Sequence, residues 1–371
     1  MFLKRILFIY LSFSISFLSC SQSDDSNTNQ NTEEIEQEEN NNLYFPPIGS
    51  NTWETVSLES INWNTSAIDD LFNLLDDNDT NAFIVLKDGK IAIEWYFGDF
   101  QQSDFWYWAS AGKTLTAFTV GIAQQESLLN INNSSSDYLG AGWSSLTTEE
   151  ELNIKVIHHI TMTTGLDYTD LLNQFCTDWD CLTYLNEPGT FWYYHNAPYT
   201  LSQSIVTGAV GEDFEDYFNE KLKNRIGMNG FWLQSGYNNI YRSDARSMAR
   251  FGLLCLNNGI WDDDVILSDS NYFEAMTTTS QNLNEAYGYL WWLNGQNTYR
   301  LPASTSLFNG KLIPNAPDDL VAGLGANDQK LYVVPSENLV VIRLGESANE
   351  MQLGPSGFDN MIWEKLNAVI N

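Results

Sequence analysis

The sequence predicts a mixed α/β (α+β) fold in which helices flank one antiparallel sheet built from both ends of the domain. Two hairpins and the stretch between them lead to this prediction. The hairpins lie at 82–96 and 330–343. The stretch of about 121–285 has mostly helical spacing of apolar residues, interrupted by Gly, Asn and Pro. Strands at both ends and helices between them indicate an inserted, mainly helical subdomain.

The composition is that of an acidic folded domain. The 371 residues include 13 Trp, 18 Tyr and 20 Phe, which is too aromatic for a chain that is disordered as a whole. Seventeen Lys and Arg against 48 Asp and Glu give a net charge of −31. Such a field repels phosphate backbones and anionic lipid head groups, so nucleic acid is excluded as a partner.

The first 20 residues have the pattern of a lipoprotein signal peptide. Lys4 and Arg5 precede an apolar run at 6–18 that is too short to span a bilayer. The run ends in Leu-Ser-Cys20, which resembles a bacterial lipobox with Cys20 as the lipidated residue. An ordinary secretory signal cleaved nearby is the alternative. The prediction is an exported protein, lipid-anchored to the outer membrane, with the cell surface as one location and the anchor as its membrane contact.

Residues 21–42 predict a disordered acidic tether. They contain seven acidic side chains, no basic one and a single aliphatic residue, Ile35. Burial in such a segment cannot offset the entropy lost on ordering. The folded domain is therefore predicted over 43–371.

The elements of this domain follow in chain order. Thr65–Asn78 has helical spacing of apolar residues, with Thr65 as the cap. Strands at 82–87 and 90–96 are joined by Asp88-Gly89, a two-residue turn typical of hairpins. The remaining predicted elements are helices at 110–129, 243–256 and 358–370 and strands at 330–334 and 339–343.

Ser110 and Lys113 form an S-x-x-K motif at the start of a predicted helix. One helical turn separates them, so the hydroxyl and the amine lie on the same face. Burial lowers the pKa of a lysine and allows it to take the proton of a serine nucleophile. Free N–H groups at the helix start stabilise an oxyanion. A capping serine beside a solvated lysine is the alternative interpretation of this short motif.

Tyr194 and Asn196 form a Y-x-N motif further along the chain. The phenol is a candidate second proton carrier, and the amide is a candidate group for orienting the substrate and the lysine. A Thr-Met-Thr-Thr-Gly-Leu segment at 161–166 lies between the two motifs, and Glu-Pro-Gly at 187–189 precedes Tyr194.

This ordered set resembles the β-lactamase-related serine hydrolases of the penicillin-recognising superfamily over residues 44–368. The Y-x-N version is similar to class C β-lactamases, related esterases and 6-aminohexanoate-dimer hydrolases rather than to class A. The resemblance implies a two-lobed fold without a cofactor, and an acyl-enzyme on Ser110. Lys113 and Tyr194 would share the general base and acid roles, with the first base left open, and Asn196 would orient. The backbone N–H groups of Ser110 and Gly323 would form the oxyanion hole.

One family motif is absent from the sequence. The Lys-Thr-Gly or His-Thr-Gly of the strand beside the site has no counterpart, and its place falls near 320–323. A β-lactam carboxylate would lack a cation on that strand, so ester or amide hydrolysis of a small molecule or short peptide is expected instead. The alternatives are a DD-peptidase or β-lactamase and a non-catalytic surface-binding lipoprotein. The intact proton-transfer residues favour an enzyme.

Three histidines and four cysteines complete the candidate residues. No G-x-S-x-G or H-E-x-x-H motif accompanies the histidines. The pair 158–159 is therefore interpreted as one buried and one exposed residue, His195 is interpreted as structural, and no metal site is predicted. Cys176 and Cys181 lie in one loop and predict a disulfide in an oxidising compartment, whereas Cys255 predicts a buried thiol.

Overall fold

The structure is a computed structural model that describes residues 43–348 and 353–371. The predicted signal peptide with Cys20 and the predicted tether at 21–42 lie outside the described residues, so both stay predictions. In the described part of the chain, none of the helices has the length and apolar character needed to cross a bilayer.

Many short elements make up the domain. In chain order the strands are β1 (Thr80–Lys87), β2 (Lys90–Tyr96), β3 (Trp106–Tyr107), β4 (Phe231–Ser235), β5 (Asn238–Ser243), β6 (Ile260–Trp261), β7 (Asp264–Val265), β8 (Trp292–Leu293), β9 (Thr298–Tyr299), β10 (Phe308–Asn309), β11 (Val321–Gly325), β12 (Gln329–Val334) and β13 (Leu339–Gly345). The α-helices are α1 (Ile68–Asp76), α2 (Lys113–Gln125), α3 (Ser136–Leu139), α4 (Thr148–Asn153), α5 (Val156–Ile160), α6 (Asn196–Val210), α7 (Phe214–Phe218), α8 (Ala245–Leu256), α9 (Ser270–Met276) and α10 (Gly357–Ile370). Three 3₁₀ turns bear on the site, namely Ala109–Gly112, Leu171–Gln174 and Ala326–Asp328.

The two predicted hairpins join in one antiparallel sheet of six strands, ordered β2-β1-β13-β12-β11-β8. β1 pairs with β13 from Thr80 opposite Gly345 to Lys87 opposite Leu339. The side chain of Leu331 lies against α8, whereas the next residue of the strand, Tyr332, contacts Trp363 of α10. Since successive strand residues point to opposite faces, α8 and α10 cover the two faces of the sheet. This confirms the predicted architecture.

The region between β2 and β8 is mainly helical but also contains a second sheet, ordered β3-β5-β4. The predicted mainly helical stretch of about 121–285 is present, but the hairpin of β4 and β5 within it was not predicted. Apolar residues do not alternate with polar ones along β4 in the usual way, since Phe231 and Leu233 are exposed. The centre of the region is α2, which is buried on all sides from Lys113 to Ala123.

Three helix starts differ from the prediction by a few residues. Asn64 rather than Thr65 is the cap before α1, because its side-chain oxygen accepts a hydrogen bond from the N–H of Ser66. The predicted helix at 110–129 consists of a 3₁₀ turn followed by α2. The helix predicted at 243–256 begins at Ala245, after the cap Asp244.

Candidate active site

The start of α2 carries two of the four predicted catalytic residues. Ser110 lies in the 3₁₀ turn before α2, and Lys113 is the first residue of the helix. The residue before the serine, Ala109, has a φ of 46°, which is costly for a residue with a side chain. The indole N–H of Trp108 donates to the Ser243 hydroxyl at 2.8 Å. This bond ties the strained turn to the end of β5.

The Lys113 amine lies at the centre of the site. Its Nζ is 3.0 Å from Ser110 Oγ and 2.9 Å from Asn196 Oδ1. The rings of Tyr194 and Tyr199 lie 5.1 and 4.1 Å from it. Lys113 is only 3% exposed, and burial lowers its pKa to about 7. A sizeable fraction of the amine is therefore uncharged at neutral pH and able to accept a proton.

Tyr194 and Asn196 reach the lysine from the segment that leads into α6. Asn196 is the first residue of that helix, and Tyr194 lies close enough to Ser110 for the serine hydroxyl to lower the pKa of the phenol. The Tyr194 ring stacks on Trp292 at 5.7 Å and meets Tyr287 edge-on at 6.2 Å. Burial raises the pKa of Tyr194 above its ordinary value and outweighs the opposite effect of Ser110. The phenol is therefore protonated at neutral pH.

The structure thus brings all four predicted side chains together on the wall of one cavity of about 460 Å³. Tyr199 is a wall residue that the sequence reasoning missed, although its position three residues after Asn196 on a helix was a usable signal. The loop residues Leu171, Gln174 and Phe175 also line the cavity and carried no sequence signal.

Gly323, the predicted second oxyanion donor, does not line this cavity. A Cβ at Gly323 would lie 3.1 Å from Thr114 Cγ2, so the residue is packed against α2. Ala326, just beyond the end of β11, lines the cavity instead. The sequence reasoning that placed the donor at Gly323 did not predict the 3₁₀ turn that follows β11. In this turn, Asn327 and Asp328 have positive φ values.

The approach of β11 to the nucleophile depends on Gly325. A Cβ at this position would collide with the carbonyl oxygen of Trp108 and would lie 3.1 Å from the Ala111 nitrogen. Glycine therefore lets the strand end lie directly against the turn that holds Ser110. The N–H of Ser110, at the start of a helix, has no partner within that helix.

The histidines take structural positions. His159 is buried with Nδ1 2.8 Å from the Pro198 carbonyl oxygen, and His195 Nε2 lies 2.7 Å from the Asn173 carbonyl oxygen. His158 is partly buried rather than exposed. Burial lowers the pKa of each to about 4, so all three are neutral at pH 7. Within 43–348 and 353–371, no three His, Cys, Asp or Glu side chains are grouped to hold a metal ion.

The three cysteines of the described residues, Cys176, Cys181 and Cys255, match their predicted states. Cys176 and Cys181 form a disulfide, and it closes the loop that follows the Leu171–Gln174 turn. Cys255 is a buried free thiol in α8, and burial raises its pKa.

Comparison with known proteins decides the family. The Beta-lactamase family model matches residues 75–361. The chain belongs to the β-lactamase family. This membership places the S-x-x-K and Y-x-N side chains in a family of serine hydrolases. A search among curated proteins found no match.

Solved structures share the fold of this β-lactamase-family chain. A Bacillus anthracis protein described as a 6-aminohexanoate-dimer hydrolase has a TM-score of 0.62 and 20% identity, covering 80% of each chain. A Bacteroides dorei protein described as a β-lactamase has a TM-score of 0.64 and 16% identity over 83% of this chain and 99% of its own. An octameric penicillin-binding protein homologue from Pyrococcus abyssi has a TM-score of 0.57 and 14% identity over 81% and 76%.

Proposed function

We propose that this chain hydrolyses an ester or amide bond through an acyl-enzyme on Ser110. The observation that carries the proposal is the buried Lys113 amine, 3.0 Å from the serine hydroxyl. No carboxylate in the described part of the chain forms an ion pair with it, and burial holds its pKa near 7. An amine of this kind matches the needs of a general base at neutral pH.

The acylation step follows from the positions of these groups. Uncharged Lys113 takes the proton of Ser110 as Oγ attacks the carbonyl carbon, and Asn196 holds the amine through its side-chain oxygen. The N–H groups of Ser110 and Ala326 are the proposed donors to the oxyanion. Tyr194 donates its proton to the leaving group, and the Lys113 ammonium returns a proton to the resulting Tyr194 phenolate, which leaves both residues uncharged.

Deacylation reuses the same groups. Lys113, now uncharged again, takes a proton from a water molecule that attacks the acyl-enzyme, and the proton passes back to Ser110 Oγ as the ester bond breaks. The balance leaves one acid and one alcohol or amine as products. A purely binding protein would have no use for this arrangement, and the names of the structural neighbours above include a 6-aminohexanoate-dimer hydrolase and a β-lactamase.

Labelling with a fluorophosphonate probe tests the proposal directly. The folded protein should be labelled at Ser110, and Ser110→Ala should abolish labelling. Ser204→Ala is the matched control, because Ser204 is an exposed serine of α6 that does not line the cavity. Peptide mapping by mass spectrometry identifies the labelled residue. A folded protein labelled at another serine, or at none, contradicts the proposal.

A further inference from the structure

We infer that the bond cleaved joins an uncharged, largely apolar acyl group to its leaving group, and that the rim residue Leu171 helps to select it. This inference names the substrate class of the proposed hydrolase and therefore rests on the proposed function. It follows from the charge of the cavity wall, from one open amide, and from the way the apolar rim is fixed.

The first observation is the charge of the wall. Of the 17 described residues that line the cavity, Lys113 alone is charged. Its Nζ is already bonded to Ser110 and Asn196. A substrate carboxylate that entered the cavity would lose its hydration without gaining a cation of its own, which costs several kcal/mol. The net charge of −31 adds a repulsive field around the same entrance.

The second observation concerns the amide side chains of the wall. Gln174 donates to the Tyr168 carbonyl oxygen at 2.6 Å, and Asn239 donates to Gln203 Oε1 at 3.0 Å. The side chain of Asn238, by contrast, has no hydrogen-bond partner among the described residues. Its NH₂ group and its carbonyl oxygen therefore remain available as donor and acceptor for a neutral polar group of the substrate, such as a carbonyl or an amide.

The third observation is an apolar rim at the cavity mouth. Leu171 is 83% exposed, Phe175 is 41% exposed and Leu353 is 43% exposed, yet all three line the cavity. An acyl chain lying across them would remove apolar surface from water, at about 25 cal/mol for each Å². Exposed apolar side chains gathered at the mouth of a site mark a place where apolar ligands bind.

The apolar rim is attached to the segment that carries Tyr194 and Asn196. His195 lies between Tyr194 and Asn196 in the sequence. Its Nε2 is 2.7 Å from the carbonyl oxygen of Asn173, in the 3₁₀ turn that also contains Leu171. The Cys176–Cys181 disulfide closes the loop just behind that turn. The turn that carries Leu171 is therefore tied to the segment that carries Tyr194 and Asn196.

A matched pair of probes tests the inference without requiring turnover. Two alkyl fluorophosphonates of equal chain length, one ending in a methyl group and one in a carboxylate, are compared at 0.15 M salt. The measured quantity is the second-order rate constant for labelling Ser110. We expect the methyl-ended probe to react faster, by on the order of tenfold or more, the equivalent of about 1.4 kcal/mol.

Two lysine substitutions distinguish the effect of the cavity wall on the probe preference from the effect of the net negative charge of the chain. Leu171→Lys places a cation on the wall, whereas Leu172→Lys places the same charge on a neighbouring residue that is 76% exposed and does not line the cavity. Leu171→Lys should reduce the preference for the methyl-ended probe by about fivefold. Leu172→Lys should change it by less than about twofold, because a charge on this exposed side chain lies outside the cavity wall and is screened by water and salt.

Each outcome decides a different point. If neither probe labels Ser110, the proposed function fails and the inference fails with it. If both probes label Ser110 at the same rate, the proposed function stands and the inference is overturned. If the two lysine variants respond equally, the preference comes from the field of the whole chain, and the role assigned to the cavity wall is overturned.

Discussion

Two buried lysines in this molecule have opposite surroundings. Lys330 of β12 has a fully buried side chain, and its amine lies 3.1 Å from Asp328 Oδ1 and 2.9 Å from Asp359 Oδ2. Lys113 of α2 is just as deep but contacts a hydroxyl, an amide oxygen and two aromatic rings. Both lysines are shielded from water, and only one of them has a counter-charge.

The comparison shows that the surroundings of a buried lysine decide whether it stabilises the fold or is available for proton transfer. Two carboxylates bind the Lys330 amine, which links β12 to the start of α10. Burial alone would raise the pKa of the Asp328 carboxyl, but Lys330, Ser356 and the Ala348 N–H outweigh it and hold it below its usual value. Lys113 has no such partner, so burial lowers its pKa to about 7 and makes the amine available for proton transfer.

Replacing Lys113 should give the largest effect. Lys113→Met should lower the rate of hydrolysis of a p-nitrophenyl alkyl ester by on the order of 10³-fold, because a positioned base is removed. The free energy of unfolding, from chemical denaturation, should stay the same or rise, since an amine without a counter-charge is costly to bury. A variant that is both active and less stable would contradict the assignment of Lys113 to catalysis.

Replacing Lys330 should have the reverse outcome. Lys330→Met leaves Asp328 and Asp359 buried without their cation, and the free energy of unfolding should fall by about 3–5 kcal/mol. Adding Asp328→Asn and Asp359→Asn to this variant should recover part of the loss, because the uncompensated charges are removed. Full stability in the single variant would show that this ion-pair cluster is not needed for the fold.

The pH dependence of acylation tests the difference between the two lysines through a smaller effect. If uncharged Lys113 is the base, the rate of Ser110 acylation should rise about tenfold between pH 6 and 8, with a midpoint near pH 7, and then level off. Stopped-flow measurement of the acylation phase gives the profile.

A tyrosine variant serves as the control for that profile. Tyr194→Phe should lower the plateau by on the order of 100-fold through loss of a proton donor. It should leave the midpoint near pH 7, because the pKa of the phenol lies above its ordinary value. A midpoint that moves with this substitution would show that Lys113 and Tyr194 titrate as one coupled pair.

The parts of the molecule that follow from local sequence were predictable. The turn at Asp88-Gly89 has φ values of 52° and 78°, which this residue pair adopts readily, and so the first hairpin was visible in the sequence. The spacing of Ser110 and Lys113 puts both on one helix face for the same local reason.

Contacts between distant segments were not predictable in the same way. The pairing of Trp106 with Ser243 builds the second sheet from segments with no common pattern. The wall residues Leu171 and Asn238 come from a turn and a strand whose positions depend on the whole fold. Ala326, and not the predicted Gly323, lies on the cavity wall because of a turn with two left-handed residues. The spacing of apolar residues in the sequence does not reveal such a turn.

The pairing of β1 with β13 sets the order in which this chain can fold. Arg343 of β13 donates to the Asn78 carbonyl oxygen across 265 positions of sequence. During synthesis, β1 and β2 emerge early, but the buried residues of β1 stay uncovered until the C-terminal strands have been made. A chain that stops before β13 would present β1 as a bare apolar edge, a template for aggregation. A strand that is synthesised late therefore protects one that is synthesised early.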